Sequence, residues 1–337
     1  MLTSDWTDTL DALVWDAIVE GRVSGAITGK PDKVIESGLA HIFFYDDTVY
    51  KLYKTHADKD HFIKGVLAPT TKRNEFMEHD FKLNSHFSKS VYINRYSLDY
   101  EAGIARVVPY HGRSIYKLIE MKRLDFEDNF HEQLLRREVK VDDYFNIGHE
   151  IAQSIDSYEI NLPDSINWYD LATERVHILK QFLGWMKPEF SELVENSEAV
   201  SALEAHLEKY KNEYLQIKGN ELSVNLDNHD ENIFIVEGTP QFIDLLPPMS
   251  SWWYGLPHAN LSNIMANVEV LASYEDAQKI QEGYLEYYQE DSIPEHSFGF
   301  THAFAYLISI AHFSSVEGKE EVVFGYTKRL GDIKGWL

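Results

Sequence analysis

Three polar residues suited to phosphoryl transfer lie close together in the chain, at Asp227, Asn232 and Asp244. Asp227 and Asn232 stand at the two ends of a polar loop between apolar strands, and a Gly/Pro turn follows before Asp244. Antiparallel pairing of the strands after the loop would return Asp244 to the side of Asn232. Carboxylate and amide oxygens are the hard ligands that Mg2+ prefers. The sequence therefore predicts a magnesium site with Asn232 and Asp244 as ligands.

Phosphoryl transfer needs one carboxylate that accepts the proton of the attacking hydroxyl, besides the ligands of the metal ions that neutralise the phosphate. The spacing Asp-x4-Asn, with Asp244 twelve residues after Asn232, fits the catalytic loop and metal-binding Asp of a protein-kinase-like fold. Asp227 is the predicted catalytic base. The alternative is that these are ordinary turn residues, whose side chains hydrogen-bond nearby backbone.

On these residues the chain resembles the aminoglycoside phosphotransferase-like family of small-molecule kinases, whose loop runs His-Gly-Asp-x-His-x-x-Asn. Asp227, His229 and Asn232 match this pattern, whereas Asn225 and Leu226 stand where the family has His and Gly. The resemblance implies ATP and Mg2+ as cofactors, and transfer of the γ-phosphate to a hydroxyl group of a small molecule. The altered pair leaves open a second function class, a nucleotide-binding pseudokinase or scaffold.

A lysine-bearing strand is predicted upstream, within a β-meander over residues 34–54. In the resembled fold a lysine on this strand binds the α- and β-phosphates of ATP. Lys51 is the first choice and Lys54 the second, and the two lie on opposite faces of the strand. A solvated lysine is the alternative for either. The short segment 36–40 occupies the position of the phosphate-covering loop.

A helix is predicted over residues 73–87, where apolar residues recur at helical spacing. The resemblance implies that this helix carries a glutamate that pairs with the strand lysine. Glu78 is preferred over Glu75, which lies one turn away. Glu78 begins the segment Glu-His-Asp-Phe-Lys-Leu-Asn, which looks like an uncharacterised bacterial branch of the same family. The alternative is a glutamate that faces solvent.

The fold class expected from these elements is α+β, a bilobal protein-kinase-like fold. Residues 1–121 would form a small β-rich lobe with an N-terminal helix, the lysine strand and the glutamate helix. Residues 122–337 would form a larger, mostly helical lobe with the catalytic loop and the acceptor site. Further strands are expected near 104–108 and 114–121. The resemblance implies that the main chain of Glu120 and Met121 hydrogen-bonds the adenine of ATP between the lobes.

The formal charge of -24 is confined to one part of the chain. Residues 1–123 carry 17 basic and 17 acidic side chains, and the other 214 residues carry 14 and 38. Nucleic-acid binding is not expected, because it requires clustered Lys and Arg. The acidic part would concentrate a cationic small-molecule acceptor, although surplus acid also serves solubility.

The remaining features of the sequence exclude several classes of function. The chain has no cysteine, which excludes disulfides, thiolate zinc sites and thiol nucleophiles. The N-terminus lacks the order of a signal peptide and no apolar run is long enough to span a membrane, so a cytoplasmic protein without a membrane partner is expected. A third function class, a metal phosphohydrolase built on His229-Asp230, would need further His and Asp ligands and has no clear partner motif.

Overall fold

The computed structural model describes residues 4–37, 40–54, 70–112, 114–226, 228–246, 253–314 and 318–337, with side chains from residue 10 in the first helix and from residue 74 in the second. The chain divides into two units, Met1–Asp125 and Phe126–Leu337. The sequence predicts this boundary at residue 121. The division falls later because the last strand of the first unit continues to Lys122.

A seven-stranded sheet and two helices make up the described part of the first unit. The strands are β1 (Val23–Gly25), β2 (Lys33–Glu36), β3 (Ala40–Tyr45), β4 (Thr48–Tyr53), β5 (Tyr92–Glu101), β6 (Ile104–Pro109) and β7 (Tyr116–Lys122). Their spatial order is β1-β6-β5-β7-β4-β3-β2, and only β1 and β6 pair in parallel. The helices are α1 (Ser4–Val19) and α2 (Thr70–Phe87). The predicted meander and helix are therefore present.

Two strands of the first unit, β1 and β5, are not predicted from the sequence, and the longer of them is β5. Its ten residues do not alternate between buried and exposed positions. Its pairing with β7 also shifts register between Tyr92 and Asn94. A bulge of this kind breaks the period of two by which strands are recognised.

The core of the first unit lies between α1 and one face of the sheet. Val14, Ala17 and Ile18 of α1 pack in one apolar cluster with Phe43 of β3 and Leu118 of β7. Strand β4 lies inside the sheet, and its residues from Val49 to Tyr53 are all buried. A lysine on β4 is therefore withdrawn from water and needs an anionic partner.

The second unit is mostly helical, as predicted. Its helices are α3 (Phe130–Arg136), α4 (Val141–Asp156), α5 (Trp168–Leu183), α6 (Pro188–Ser197), α7 (Ala199–Lys209), α8 (Lys211–Tyr214), α9 (Ala259–Leu271), α10 (Tyr274–Tyr288), α11 (Glu295–Phe313), α12 (Glu320–Thr327) and α13 (Ile333–Trp336). Helix α11 is buried along most of its length and forms the centre of the apolar core. None of the helices in these ranges has both the length and the hydropathy of a membrane span.

Two glycines set the close packing of α4 against α10. A Cβ atom at Gly148 would lie 1.8 Å from the carbonyl oxygen of Ile280, and one at Gly283 would lie 2.0 Å from that of Phe145. Because neither position has room for a methyl group, the two helix backbones can approach each other only with glycine there.

Two short β-structures flank the predicted catalytic loop. Strand β8 (Ser223–Val224) precedes the loop and pairs with β11 (Tyr254–Gly255). Strands β9 (Ile233–Val236) and β10 (Thr239–Phe242) follow the loop and form an antiparallel hairpin. The hairpin turns at Glu237 and Gly238, both with positive φ, and Pro240 lies within β10. This two-residue turn fixes the register of the hairpin.

Candidate functional site

Lys51 forms a buried ion pair with Asp80 of α2. Its Nζ lies 3.7 Å from Asp80 Oδ2, and the two side chains are 6% and 1% exposed. The Tyr53 hydroxyl donates to the same Oδ2 at 2.9 Å, and Asn84 Nδ2 donates to Oδ1 at 2.7 Å. Both carboxylate oxygens of Asp80 thus have donors, which is the condition for a charge to remain ionised away from water.

The prediction that Glu78 is the partner of the strand lysine is wrong. The carboxylate of Glu78 lies 3.5 Å from Lys117 Nζ and 3.8 Å from Arg95 Nη1, and the side chain is 48% exposed. Residues two positions apart on a helix point to nearly opposite sides, about 200° from each other. Asp80 points to Lys51 of β4, whereas Glu78 points to Lys117 of β7 and Arg95 of β5. Glu75 is exposed.

A signal for Asp80 is present in the sequence. The buried residues of α2 follow helical spacing, and Asp80 stands on that apolar stripe in the position where another apolar residue would be expected. The stripe consists of Phe76, Met77, Asp80, Leu83, Asn84 and Phe87. A carboxylate on a core-facing stripe requires a buried cation nearby, and β4 supplies one.

Lys54, the second choice, has a different partner. Its Nζ lies 2.9 Å from Oε1 of Glu36, at the end of β2. The hydrogen bond from Lys54 lowers the pKa of Glu36, against the opposing effect of burial. Of the predicted phosphate-covering segment, residues 38 and 39 lie outside the described part of the chain.

Glu120 and Met121 lie inside the sheet rather than at an open edge. Both residues pair with β4 on one side of β7 and with β5 on the other. The backbone N–H of Lys122 donates to Val91 O at 2.7 Å, and that of Arg123 donates to Asp47 O at 2.8 Å. This pairing argues against an adenine contact through the main chain of Glu120 and Met121.

Asp227, the predicted base, lies outside the described residues, but the chain on both sides of it is held by Asn260 of α9. The Leu226 N–H donates to Asn260 Oδ1 at 2.6 Å, and Asn260 Nδ2 donates to Val224 O at 2.8 Å. Asn228 Nδ2 donates to the carbonyl oxygen of Asn260 at 2.9 Å. Asn260 is fully buried, so these bonds form without competition from water.

Asn260 belongs to a row of three asparagines on one face of α9, which we call the asparagine row: Asn260, Asn263 and Asn267. Residues at this spacing share a helix face. Asn263 Nδ2 lies 3.4 Å from Leu226 O, and Asn267 Nδ2 donates to Asp230 Oδ1 at 2.8 Å. The row supports the loop along its length, although the loop lacks the His-Gly pair of the resembled family.

Asp230 is a buried structural residue of the loop. It is 2% exposed, and its second carboxylate oxygen hydrogen-bonds Nδ1 of His131. That hydrogen bond raises the pKa of His131, against the opposing effect of burial. The Tyr326 hydroxyl in turn donates to Asn267 Oδ1. Both oxygens of Asp230 are thus engaged by protein donors, which argues against a metal centre built on the His229-Asp230 pair.

Asn232 and Asp244 lie at the same end of the β9–β10 hairpin, as the sequence predicts. The ladder ends with the pair Ile233 and Phe242, and the Ile243 N–H donates to Asn232 O at 2.9 Å. Asp244 follows immediately. Asn232 is partly exposed and Asp244 is exposed, so both side chains are accessible from outside the protein.

Asp244 has a left-handed backbone conformation, with φ at 55°. The other non-glycine residues with positive φ in the described ranges lie at helix ends or in two-residue hairpin turns, where this conformation is common: Ala102, Arg137, Glu198, Glu237 and Gln289. Asp244 follows a strand, so neither a helix end nor a two-residue turn accounts for its positive φ. Backbone strain outside ordinary turns tends to occur at functional sites.

The side-chain oxygen atoms of Asn232 and Asp244 are ligands of the kind that suits Mg2+. Proteins hold Mg2+ by one or two carboxylates together with substrate phosphates and waters, rather than by a complete protein cage. One amide oxygen and one carboxylate satisfy that pattern. No group of three or more His, Asp or Glu side chains suited to a metal ion gathers in the part of the chain that the structure describes.

Together, the sheet with its lysine strand and carboxylate helix, and the helical unit with its loop and hairpin, define the protein-kinase-like fold of small-molecule kinases. Comparison with solved structures confirms this fold. A glucosamine kinase in complex with glucosamine, ADP and inorganic phosphate aligns with a TM-score of 0.52 and 10% identity, over 90% of this chain and 80% of that one. A choline kinase from Cryptosporidium parvum aligns with a TM-score of 0.50 and 11% identity, over 90% and 88%.

An aminoglycoside phosphotransferase, a thermostable mutant in its apo form, aligns with a TM-score of 0.51 and 12% identity, over 91% of this chain and 95% of that one. At the level of the fold, the predicted resemblance to the aminoglycoside phosphotransferase-like family is confirmed. At the level of sequence, no protein-family model and no curated protein matches the chain.

Proposed function

We propose that this protein is an ATP-dependent phosphotransferase that moves the γ-phosphate to a hydroxyl group of a small molecule. The observation that carries the proposal is the placement of Asn232 and Asp244 at one hairpin end, directly after a loop that the asparagine row holds. The loop contains Asp227, and the fold is one in which these positions serve phosphoryl transfer.

The proposed roles follow the requirements of the reaction. The acceptor hydroxyl oxygen forms a bond to the γ-phosphorus while the bond to ADP breaks, and Asp227 takes the hydroxyl proton. Asn232 and Asp244 hold Mg2+, which neutralises charge on the phosphates. Lys51 binds the α- and β-phosphates, and Asp80 orients it. Lys51 and Asp80 belong to the first unit of the chain. Asp227, Asn232 and Asp244 belong to the second.

The proposed adenine contact lies after Arg123. Main-chain groups before this point are bonded within the sheet, so the adenine edge would be met by the segment that follows. Hydrogen bonds to main chain need no particular side chain, which explains why the sequence pattern did not reveal the position.

For the acceptor, we propose a cationic hydroxyl compound. The first unit carries 17 basic and 18 acidic side chains and the second carries 14 and 37, so the second holds 23 of the 24 net negative charges. A field of one sign concentrates ligands of the other. Two of the structural neighbours are named for hydroxyl compounds that carry an amine or ammonium group, glucosamine and choline. We place the reaction in the cytoplasm.

A screen of ATP consumption tests the proposal. The protein is incubated with ATP and Mg2+ and with amino sugars and amino alcohols, each matched with a neutral analogue. Asp227→Asn is the control because it removes the base and preserves shape. Acceptor-dependent ADP release by wild type alone supports a transferase. Nucleotide binding without turnover on any acceptor would instead favour the pseudokinase, to which the substituted pair Asn225 and Leu226 points.

A further inference from the structure

A cavity of about 750 Å3 opens on the first unit between α2 and the strands β5 and β7. We call it the α2 cavity, and its charged lining residues are Glu75, Glu78, Lys82, Arg95 and Lys117. Its lining includes Glu78 of α2 but neither Asp80 nor its partner Lys51. The α2 cavity is therefore separate from the groups proposed for phosphoryl transfer.

Two cations of the α2 cavity are fixed in position. Lys117 is 4% exposed at its side chain, and its Nζ donates to the Tyr110 hydroxyl at 2.7 Å. The Arg95 guanidinium lies 4.9 Å from the ring centre of Phe81 and 4.5 Å from that of Tyr110. An arginine held between two rings loses little further freedom when it binds an anion.

Glu78 is the anion that neutralises these two cations. Its Oε1 accepts a hydrogen bond from the Tyr110 hydroxyl, but it contacts neither cation closely. Its distances of 3.5 Å to Lys117 and 3.8 Å to Arg95 exceed the 2.7–2.9 Å typical of charge-assisted hydrogen bonds. Half of the Glu78 side chain is exposed, so it can turn into solvent, whereas buried Lys117 cannot. When the Glu78 side chain turns away, the buried ammonium of Lys117 still requires an anionic partner.

We propose that the α2 cavity binds a small phosphate-bearing molecule, with the phosphate between Arg95 and Lys117 in place of the Glu78 carboxylate. A tetrahedral oxyanion has enough oxygens to bond the guanidinium fork and the ammonium at once, which one carboxylate shared between them does not achieve. Lys82, exposed on the same face of α2, adds positive charge at the rim.

Calorimetric titration of the full chain at constant ionic strength tests the proposal, with inorganic phosphate and glycerol phosphate as separate probes. Arg95→Gln should weaken binding about tenfold or more, the effect of one lost charged hydrogen bond. Glu78→Gln should strengthen it about threefold, because a competing surface charge is removed. Arg106→Gln is the matched control, since Arg106 is an exposed arginine of the same sheet.

Phosphate affinity is expected to fall in Arg95→Gln and to rise in Glu78→Gln. This pair of opposite changes distinguishes binding in the α2 cavity from binding elsewhere. Binding of either probe that follows this pattern supports the proposal. The proposal is overturned if wild type binds neither probe, or if both variants bind as wild type does. Activity of the protein does not enter the test, so its outcome is independent of the proposed phosphotransfer.

Discussion

Lys51 of β4 and Asp80 of α2 form an ion pair inside the first unit, with Nζ 3.7 Å from Oδ2 and both side chains almost entirely buried. Tyr53 and Asn84 donate to the two carboxylate oxygens. A pair of this kind contributes little net stability but fixes the orientation of both members, because an unpaired charge in the same place would be strongly unfavourable.

Asp80→Asn should destabilise the protein by about 3–5 kcal/mol, because it removes the carboxylate that lies 3.7 Å from the buried Lys51 ammonium. The measurement is the free energy of unfolding in urea. Glu78→Gln, on the exposed side of the same helix, should cost less than about 1 kcal/mol. Equal losses for the two variants would show that Asp80 is not the residue that neutralises Lys51.

Asn260→Ala should lower phosphotransfer by about 100-fold, because displacement of a catalytic group by about 1 Å has an effect of that size. It removes the side-chain bonds of Asn260 to Leu226 and Val224, at 2.6 and 2.8 Å. The loss of stability should be about 1–3 kcal/mol for each buried group left unsatisfied.

Asn263→Ala is the matched control for Asn260→Ala. It lies one turn along the same helix, but its contacts with Leu226 O and Asn228 Oδ1 are both 3.4 Å long. Turnover should fall several times less than in Asn260→Ala. A larger loss in Asn263→Ala would contradict the role given to Asn260.

The parts of the site that are local in sequence could be predicted from it. Asn232 and Asp244 are joined by one tight hairpin, so spacing and turn residues determine where they meet. The sequence favours Glu78 over Glu75 as the partner of the strand lysine, whereas the residue that pairs with Lys51 is Asp80. Asp80 on the apolar stripe carried that information, but a match to the resembled family favoured the glutamate.

The support of the catalytic loop could not be predicted. Asn260 and Asn267 lie 32 to 37 residues beyond the loop residues that they bond. Nothing in their own neighbourhood indicates that α9 lies against the loop. Contacts between distant segments arise from packing of the whole unit rather than from local propensity. For the same reason, the bulged strand β5 and its pairing with the end of β7 were not predicted.

The ion pair of His131 with Asp230 should make stability depend on pH. The hydrogen bond to Asp230 raises the pKa of His131 in the folded protein, above about 6.5 in the unfolded chain. Its stabilising effect is therefore complete below about pH 6.5 and is lost as the pH rises through the folded-state pKa. The difference in unfolding free energy between wild type and His131→Gln should shrink over that range.

His149→Gln is the control for the pH experiment, because His149 forms a more exposed pair with Glu286, 3.5 Å away. Its difference from wild type should change much less with pH. A wild-type advantage over His131→Gln that stays constant from about pH 6 to pH 9 would rule out a charged His131 in the folded loop.

Substitutions at Asp244 should separate the role of its carboxylate from that of its backbone conformation. Asp244→Asn tolerates the left-handed conformation but lacks the negative charge, so activity with Mg2+ should fall by at least about 100-fold, since metal stabilisation of charge is worth several kcal/mol. Stability should change by less than about 0.5 kcal/mol. Asp244→Ala should cost about 1–2 kcal/mol in addition, because alanine is strained at positive φ.

Asp244→Gly completes the series. Glycine adopts a φ of 55° without strain, so this variant should be inactive yet at least as stable as wild type. Urea unfolding and turnover measured on the same preparations give both values. If glycine and alanine were equally stable at this position, the backbone of Asp244 would not be strained.

The most direct test of the proposed function is ADP release by wild type and Asp227→Asn, with Mg2+ and the acceptor on which wild type is most active. The proposal predicts that the variant still binds ATP but turns over at least about 100-fold more slowly, the lower end of the range for a catalytic base. Equal turnover in the two proteins would contradict the assignment of Asp227 as the base, and with it the role proposed for this loop.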